Sequence, residues 1–278
     1  MLIAFIWGLS FVVVKAALNH AAPLPWLIAR FSLAGLLLLV TLARGRLDRR
    51  ALRPGLALGV FLFGGFAFQT FGQKYTTPSK CAFITGFSVI LVPIIMAFRG
   101  QTMRFLNYAS GALGLAGIYF LVRPSQLEAI NRGDIYTLWA SVCYAGHIVL
   151  VGHYSRRYSF RHLVPLQVMG VALLALAVLP FNHDLHVHWN PVLVAALAYA
   201  ALLSTGFAYS VQNWAQQYTP PAHTALIFAL EPVFAALASL VFTGERLGGK
   251  ILFGSVLILG GMLMSEFWGR PMPASMEG

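Results

Sequence analysis

The sequence predicts an all-α polytopic membrane protein of about ten transmembrane helices in two inverted five-helix repeats. Three observations carry that prediction. Of 278 residues, 59% are hydrophobic and only 10% are charged, against about 25% charged in an average soluble domain. The apolar residues fall into runs of spanning length, and a helix needs roughly 20 of them to cross the hydrocarbon core. Finally, one polar stretch of the sequence recurs 143 residues later.

In chain order, apolar windows place helices near 2–18, 26–43, 54–73, 79–98, 104–122, 134–152, 162–180, 191–213, 221–242 and 248–267. Turn formers separate them: Ala22-Pro23-Leu24-Pro25, Thr77-Pro78, Arg123-Pro124, Asn190-Pro191, Pro220-Pro221 and Gly248-Gly249, each a poor place to continue a helix. Ten spans consume nearly the whole chain and leave no separate soluble domain. The expected units are residues 1–123, residues 133–268 and a cytoplasmic tail 269–278. Met1 leads straight into an apolar run without a basic n-region, so the first segment reads as a retained span and not a cleaved signal.

The net charge of +11 does not point to nucleic acid, because the basic residues sit in short clusters between apolar runs. Arg44, Arg46, Arg49, Arg50 and Arg53 follow the second span, and Arg156, Arg157 and Arg161 follow the sixth. Lys and Arg in short loops are retained on the cytoplasmic side, which puts both of these loops and both termini in the cytoplasm. The loop bearing His183, Asp184, His186 and His188 has no Lys or Arg and falls outside. Cys81 and Cys143 both lie in apolar segments, so neither a disulfide framework nor a metal cluster is expected.

The repeat is the most informative feature. QTFGQKYTTPSKCAFI from Gln69 matches QNWAQQYTPPAHTALI from Gln212 at seven of sixteen positions, including Gln69/Gln212, Gln73/Gln216, Tyr75/Tyr218 and Pro78/Pro221. Both copies sit between the third and fourth helices of their half, so the unit is five spans. Five is odd, so the second half enters the membrane from the opposite side. Inverted repeats of this kind hold substrate near the midplane and let one half rock against the other.

Several short motifs, in this order and spacing, resemble the EamA-type transporters of the drug/metabolite transporter superfamily. They are Trp7-Gly8 with Phe11 and Lys15, Arg30-Phe31, the Tyr-Thr-x-Pro junctions at Tyr75 and Tyr218, and Glu231-Pro232 with Gly244-Glu245 and Leu247. The resemblance covers essentially the whole chain; the second half carries Trp139-Ala140 where the opening motif has Trp-Gly. It implies a central cavity lined by helices one to four and six to nine, with five and ten peripheral. It also implies a carrier or exporter of amino acids, related metabolites or drugs, in a bacterial inner membrane.

Among candidate site residues, Glu231 lies midway along the ninth span, where an ionisable group costs roughly 2.5 to 3.5 kcal/mol on insertion scales. It must face protein or water. Pro232 has no N–H to return to the carbonyl of Phe228. Glu231 either binds a substrate ammonium or coupling proton, or is a structural acid paired between helices; its repeat equivalent is Ser88. His147, at depth in the sixth span, titrates near neutral pH when unperturbed and is either a relay partner of Glu231 or a neutral packing residue. Lys15 and Arg30 sit near helix ends, as gate charges or as anchors that snorkel to the interface.

The remaining candidates are polar groups among aromatics, the usual lining of small-molecule sites: Gln69, Thr85, Gln167, Tyr209, Gln212 and Asn213, with Trp7, Phe66, Tyr144 and Phe228 beside them. Gly111, Gly114, Gly117, Gly254, Gly260 and Gly261 provide small faces for helix contact, within the protomer or in a homodimer. The expected partners are a small-molecule substrate and the lipid bilayer, with no cofactor and no metal. A membrane enzyme acting on a lipid-linked substrate is disfavoured, since Glu231 is the single acid deep in a span and there is no HExxH, GxSxG or Asp-rich motif. A channel fits two inverted halves less well than alternating access does, and a drug-efflux carrier is the remaining alternative.

Overall fold

Helix starts are written in prolines and capping side chains. Pro23, Pro78, Pro191 and Pro221 occupy the first turns of their helices, where a missing N–H costs nothing and the fixed φ is already helical. Thr77, Ser159 and Asn190 accept backbone N–H groups there, and Asn131 with Asp134 closes a reciprocal capping box. In the computed structural model these signals yield α1 (Leu2–Ala17), α2 (Pro23–Thr41), α3 (Leu52–Tyr75), α4 (Pro78–Phe98), α5 (Phe105–Val122), α6 (Arg132–Tyr154), α7 (Phe160–Val178), α8 (Pro191–Ala215) and α9 (Pro221–Thr243). Gly244 closes α9 in the left-handed conformation, at φ 69°.

The structure describes residues 1–44, 47–100, 105–122 and 131–244, together with 249, 253, 254, 256, 257, 259–261 and 264. Arg46, Arg123-Pro124, Glu245, Leu247, Gly248, much of the expected tenth span and the tail 269–278 lie outside the described residues. Among those described, seven helices are long and apolar enough to cross a membrane, fewer than the ten expected. One reason is that α1 has only 16 residues. The second span also starts earlier than hydropathy indicates, at Pro23, because Pro23 and Pro25 belong to its first turn instead of breaking the chain.

The core lies between the two halves. α3 packs along α6 and α7, α2 along α7 and α8, α1 along α8 and α9, and α4 along α6 and α9. Exchanging α1–α4 with α6–α9 maps this set onto itself: α1–α8 becomes α6–α3, α2–α8 becomes α7–α3, α1–α9 becomes α6–α4, and the pairs α2–α7 and α4–α9 are their own images. The four-helix sets α1–α4 and α6–α9 are thus related by a pseudo-two-fold axis that passes between them. Close crossings use small residues. A Cβ on Gly8 would stand 2.6 Å from that of Phe234, and one on Gly65 2.5 Å from the Tyr144 ring.

α5 packs on α4, away from the inter-half core. A Cβ on Gly261 would meet the Ser110 carbonyl at 2.7 Å, and the Phe120 and Phe253 rings sit 4.9 Å apart, so these glycine faces serve packing inside one protomer. A short antiparallel bridge pairs Ala21 with Val187. Ala22 N–H donates to the His186 carbonyl at 2.9 Å and His188 N–H to that of His20 at 2.7 Å, joining the α1–α2 and α7–α8 connections.

Candidate functional site

Two helices are interrupted at equivalent places. α4 turns at Gly86–Phe87 and α9 at Ala229–Leu230, 143 positions on, so that Ser88 and Glu231 each begin a second helical segment. Pro232 follows Glu231 and contributes no N–H. Half-helices of this kind, broken in both repeats at matching positions, mark midplane sites. They border a cavity that is partly open to solvent and lined by aromatic and polar side chains from both halves, the mixture that small-molecule sites use.

The cavity wall is built from two-fold pairs. With the 143-residue offset, Phe66 pairs with Tyr209, Gln69 with Gln212, Thr85 with Phe228 and Ser88 with Glu231, and all eight line it. In the first helix of each half the offset is 137. Gln73 Nε2 donates to the Phe11 carbonyl at 2.8 Å and its repeat mate Gln216 donates to the Ile148 carbonyl at 3.0 Å, which equates Phe11 with Ile148. Trp7 therefore corresponds to Tyr144 and Ser10 to His147, and these four also line the cavity. Pairing the Trp7-Gly8 motif with Trp139-Ala140 is accordingly corrected to Tyr144-Ala145. Trp139 is 56% exposed on the outer surface.

The aromatic members touch one another: Trp7 lies 5.1 Å from Tyr209 and 4.9 Å from Phe228, and Phe66 lies 5.6 Å from Tyr144 and 6.1 Å from Tyr209. Tyr144 donates to Gln69 Oε1 at 2.9 Å, while Gln69 Nε2 lies 3.5 Å from Thr85 Oγ1. The half-buried Glu231 carboxyl has no hydrogen-bond or ion-pair partner among the described residues. The reading of Glu231 as an acid paired between helices thus finds no partner there. An unpaired carboxyl at the first turn of a half-helix, walled by aromatic faces, is suited to hold an ammonium group or a proton.

Of the residues expected at the site, Trp7, Phe66, Gln69, Thr85, Tyr144, His147, Tyr209, Gln212, Phe228 and Glu231 are brought together. Gln167 and Asn213 are not on the wall. Gln167 stands behind His147, with Oε1 2.7 Å from Nε2, and Asn213 Nδ2 donates to the Tyr209 carbonyl at 2.9 Å. Neither Lys15 nor Arg30 snorkels. Lys15 Nζ turns inward to the carbonyls of Gln73 and Thr76, at 2.6 and 2.9 Å, where it complements the C-terminal end of α3.

Arg30 is 1% exposed. Its Nε donates to Thr205 Oγ1 at 2.9 Å and its Nη2 to Ser204 Oγ at 3.0 Å, and the guanidinium lies over the Phe31 and Phe66 rings. Aromatic faces and hydroxyls make this burial tolerable. Both hydroxyls come from Tyr199–Phe207, a stretch of π-helix in α8 whose wider turn shifts the register of the helix. The Ser204 carbonyl there accepts the Trp7 indole N–H at 2.8 Å. Sequence reasoning missed Ser10 and Ser204 on the wall. The π turn has no sequence signal, and Ser10 was findable only through the 137-residue offset.

The comparisons agree with this architecture. The model of the EamA-like transporter family matches residues 1–123 and again 131–267. An "Uncharacterized transporter" of Archaeoglobus fulgidus is 33% identical over 259 residues, 93% of this chain and 81% of that one. A "Probable amino-acid metabolite efflux pump" of Salmonella typhimurium is 26% identical over 290 residues, 96% of this chain and 93% of its own. A solved crystal structure superimposes with a TM-score of 0.78 at 17% identity, covering 96% of this chain and 95% of that one, a likeness of fold alone. The interrupted helices, the paired cavity wall and the two family matches lead to one conclusion: the chain is a multi-pass membrane protein and not an enzyme, and it belongs to the EamA-like transporter family of the drug/metabolite transporter superfamily.

Proposed function

We propose that the protein is a secondary carrier that exports small organic metabolites of the amino-acid kind by alternating access, in a bacterial inner membrane with both termini cytoplasmic. The two five-helix units, 1–123 and 133–268, are the moving parts. The observation that carries the reading is the cavity at the pseudo-two-fold axis, where two interrupted helices meet and Glu231 is unpaired. Trp7, Phe66, Tyr144, Tyr209 and Phe228 contact the apolar part of the substrate, Gln69, Thr85 and Gln212 its polar edge, and Glu231 its ammonium group. Glu231 exchanges that ammonium for a proton, with His147 across the cavity as relay; Lys15 holds the gate at the end of α3. Aromatic rings around a carboxyl also favour a second reading, a drug-efflux carrier for organic cations.

Counterflow of labelled amino acids into liposomes, with and without an imposed pH gradient, tests the proposal. Saturable uptake establishes a carrier, and a gradient effect establishes coupling. Glu231→Gln and His147→Gln are expected to lose the gradient effect; a pH dependence unchanged in both removes the proton role. Saturable uptake of lipophilic cations with no amino-acid uptake selects the drug-efflux reading.

A further inference from the structure

Carried on from α1 and α6 into α2 and α7, the 137-residue offset pairs Arg30 with Gln167, and each backs one member of the Ser10/His147 pair, Arg30 through Ser204 and Gln167 by direct contact. Behind Ser10 the chain runs Arg30, Ser204, Ser10. Behind His147 it runs Gln167, His147. The polarity of each chain follows from which groups donate.

A guanidinium only donates. Arg30 Nη2 therefore donates to Ser204 Oγ, at 3.0 Å, and Ser204 must pass its own hydrogen onward, which it does to Ser10 Oγ at 3.2 Å. Ser10 receives that hydrogen and is left with its own O–H, for which no acceptor stands among the described residues. Ser10 lines the cavity. This chain thus ends in a donor, backed by a buried cation that has no carboxylate partner among the described residues. On the other side Gln167 Oε1 faces His147 Nε2 at 2.7 Å. An amide oxygen only accepts, so Nε2 carries the hydrogen and Nδ1 of the neutral ring is an acceptor. Glu231 adds a second acceptor.

We infer that Arg30 gives the cavity its polarity, making it select substrates with an anionic group, which sits against Ser10, as well as the ammonium that sits at Glu231. Arg30 is a positioning residue that acts through Ser204, and Ser10 makes the contact. This inference rests on the carrier reading for its ligand and separates zwitterions from plain organic cations. Leucine and leucinamide are the probes, because they share the ammonium and the side chain while only leucine carries a carboxylate.

The experiment measures competition and direct binding of both probes on the full-length protein in liposomes, with equilibrium binding of the labelled probes as the direct readout. Hydrogen bonds to a charged group are worth about 1.5–3 kcal/mol, roughly 10- to 100-fold, so leucine is expected to bind at least about tenfold more tightly than leucinamide. Ser10→Ala should weaken leucine about tenfold more than leucinamide. Arg30→Lys, which keeps the charge but not the fork, should give an intermediate ratio, and Arg30→Gln a ratio near one. A purely structural Arg30 would move both probes together. Equal binding of the two probes by the natural protein overturns the inference, as does an unchanged ratio in Ser10→Ala or binding of neither probe by folded protein. Selective binding of leucine without any counterflow sinks the carrier reading and leaves the assigned polarity standing.

Discussion

The two ends of the inter-half core are equivalent by the repeat and are closed by different chemistry. At the α3–α4 end, Gln73 bonds the Phe11 carbonyl, Lys15 holds the last carbonyls of α3, and Thr76 Oγ1 reaches Asp134 at 3.3 Å. Lys80 pairs with the same Asp134 at 2.8 Å, their side chains 15% and 8% exposed. At the α8–α9 end Gln216 bonds the Ile148 carbonyl in the same way, but Gly152 stands where the first half has Lys15. A Cβ on Gly152 would lie 2.5 Å from the Pro221 ring. The duplicated part of the joint is therefore one amide-to-carbonyl bond, to which each half added its own closure. Opening one end separates charges that must be rehydrated. Opening the other parts an apolar contact.

The comparison breaks most clearly at Asp134. Asp134→Ala leaves Lys80 unpaired, opens the capping box of α6 and strips Thr76 of its acceptor. Breaking a largely buried pair in this way is expected to cost about 3 kcal/mol, read as a lowered melting temperature in detergent. Cys81 is 0% exposed and lies 3.6 Å from Thr137 Oγ1 at this same end. Its labelling by a maleimide should therefore rise sharply in the variant. A Cys81 that stays protected would mean that the ion pair does not close this end.

Gly152→Leu is the matching change at the other end. Overpacking against Pro221 is expected to cost about 1–3 kcal/mol while Cys81 remains unlabelled; labelling of Cys81 in this variant would show that the two ends open together. Gln73→Leu and Gln216→Leu sharpen what the ends share. Each removes a buried amide donor from a carbonyl and should cost about 1 kcal/mol, with the larger melting shift at Gln216, whose Oε1 also accepts from Gln212 Nε2 at 3.0 Å. A clearly larger loss at Gln73 would mean that the neighbouring charges depend on it.

The smallest effect belongs to Asp184, which ties Lys74 at 2.9 Å and His186 at 2.6 Å on the exposed surface. These two hold its carboxyl below the usual 3.8. The tie is present at pH values above that figure and is lost as the pH falls through the lowered value, because protonation then removes the charge that both partners bind. Asp184→Asn should change stability by less than about 0.5 kcal/mol at neutral pH and should erase any acid-side loss due to this group. Melting temperatures across an acid series check both points.

How much of this was legible in the sequence follows from where the two halves share letters. Around the α3–α4 and α8–α9 junctions seven identities fix the offset and pair Gln69 with Gln212, while Glu231 is legible from its depth in the ninth span and Thr85 and Phe228 from polar groups set among aromatics. In α1 and α6 the equivalent residues Trp7/Tyr144, Ser10/His147 and Phe11/Ile148 share no letter, and hydrophobicity alone cannot set register within a uniformly apolar span. The wrong tryptophan was paired, and Ser10 went unseen. Arg30 misled for a different reason. Its distance along α2 suits snorkelling, and the π turn that supplies its hydroxyl acceptors leaves no trace in composition. Gln167 and Asn213 were polar, at the right depth and one layer too far back, because depth along a helix does not say which face a residue occupies.

The small β-bridge between Ala21 and Val187 has a mechanical consequence. It joins a connection in one half to a connection in the other by backbone hydrogen bonds that depend on no particular side chain. While it holds, the halves share one fixed point at that face and cannot slide apart there as separate bodies. The rocking that the proposed carrier cycle calls for would then turn about that point, like two blades on a rivet, with the widest travel at the opposite face.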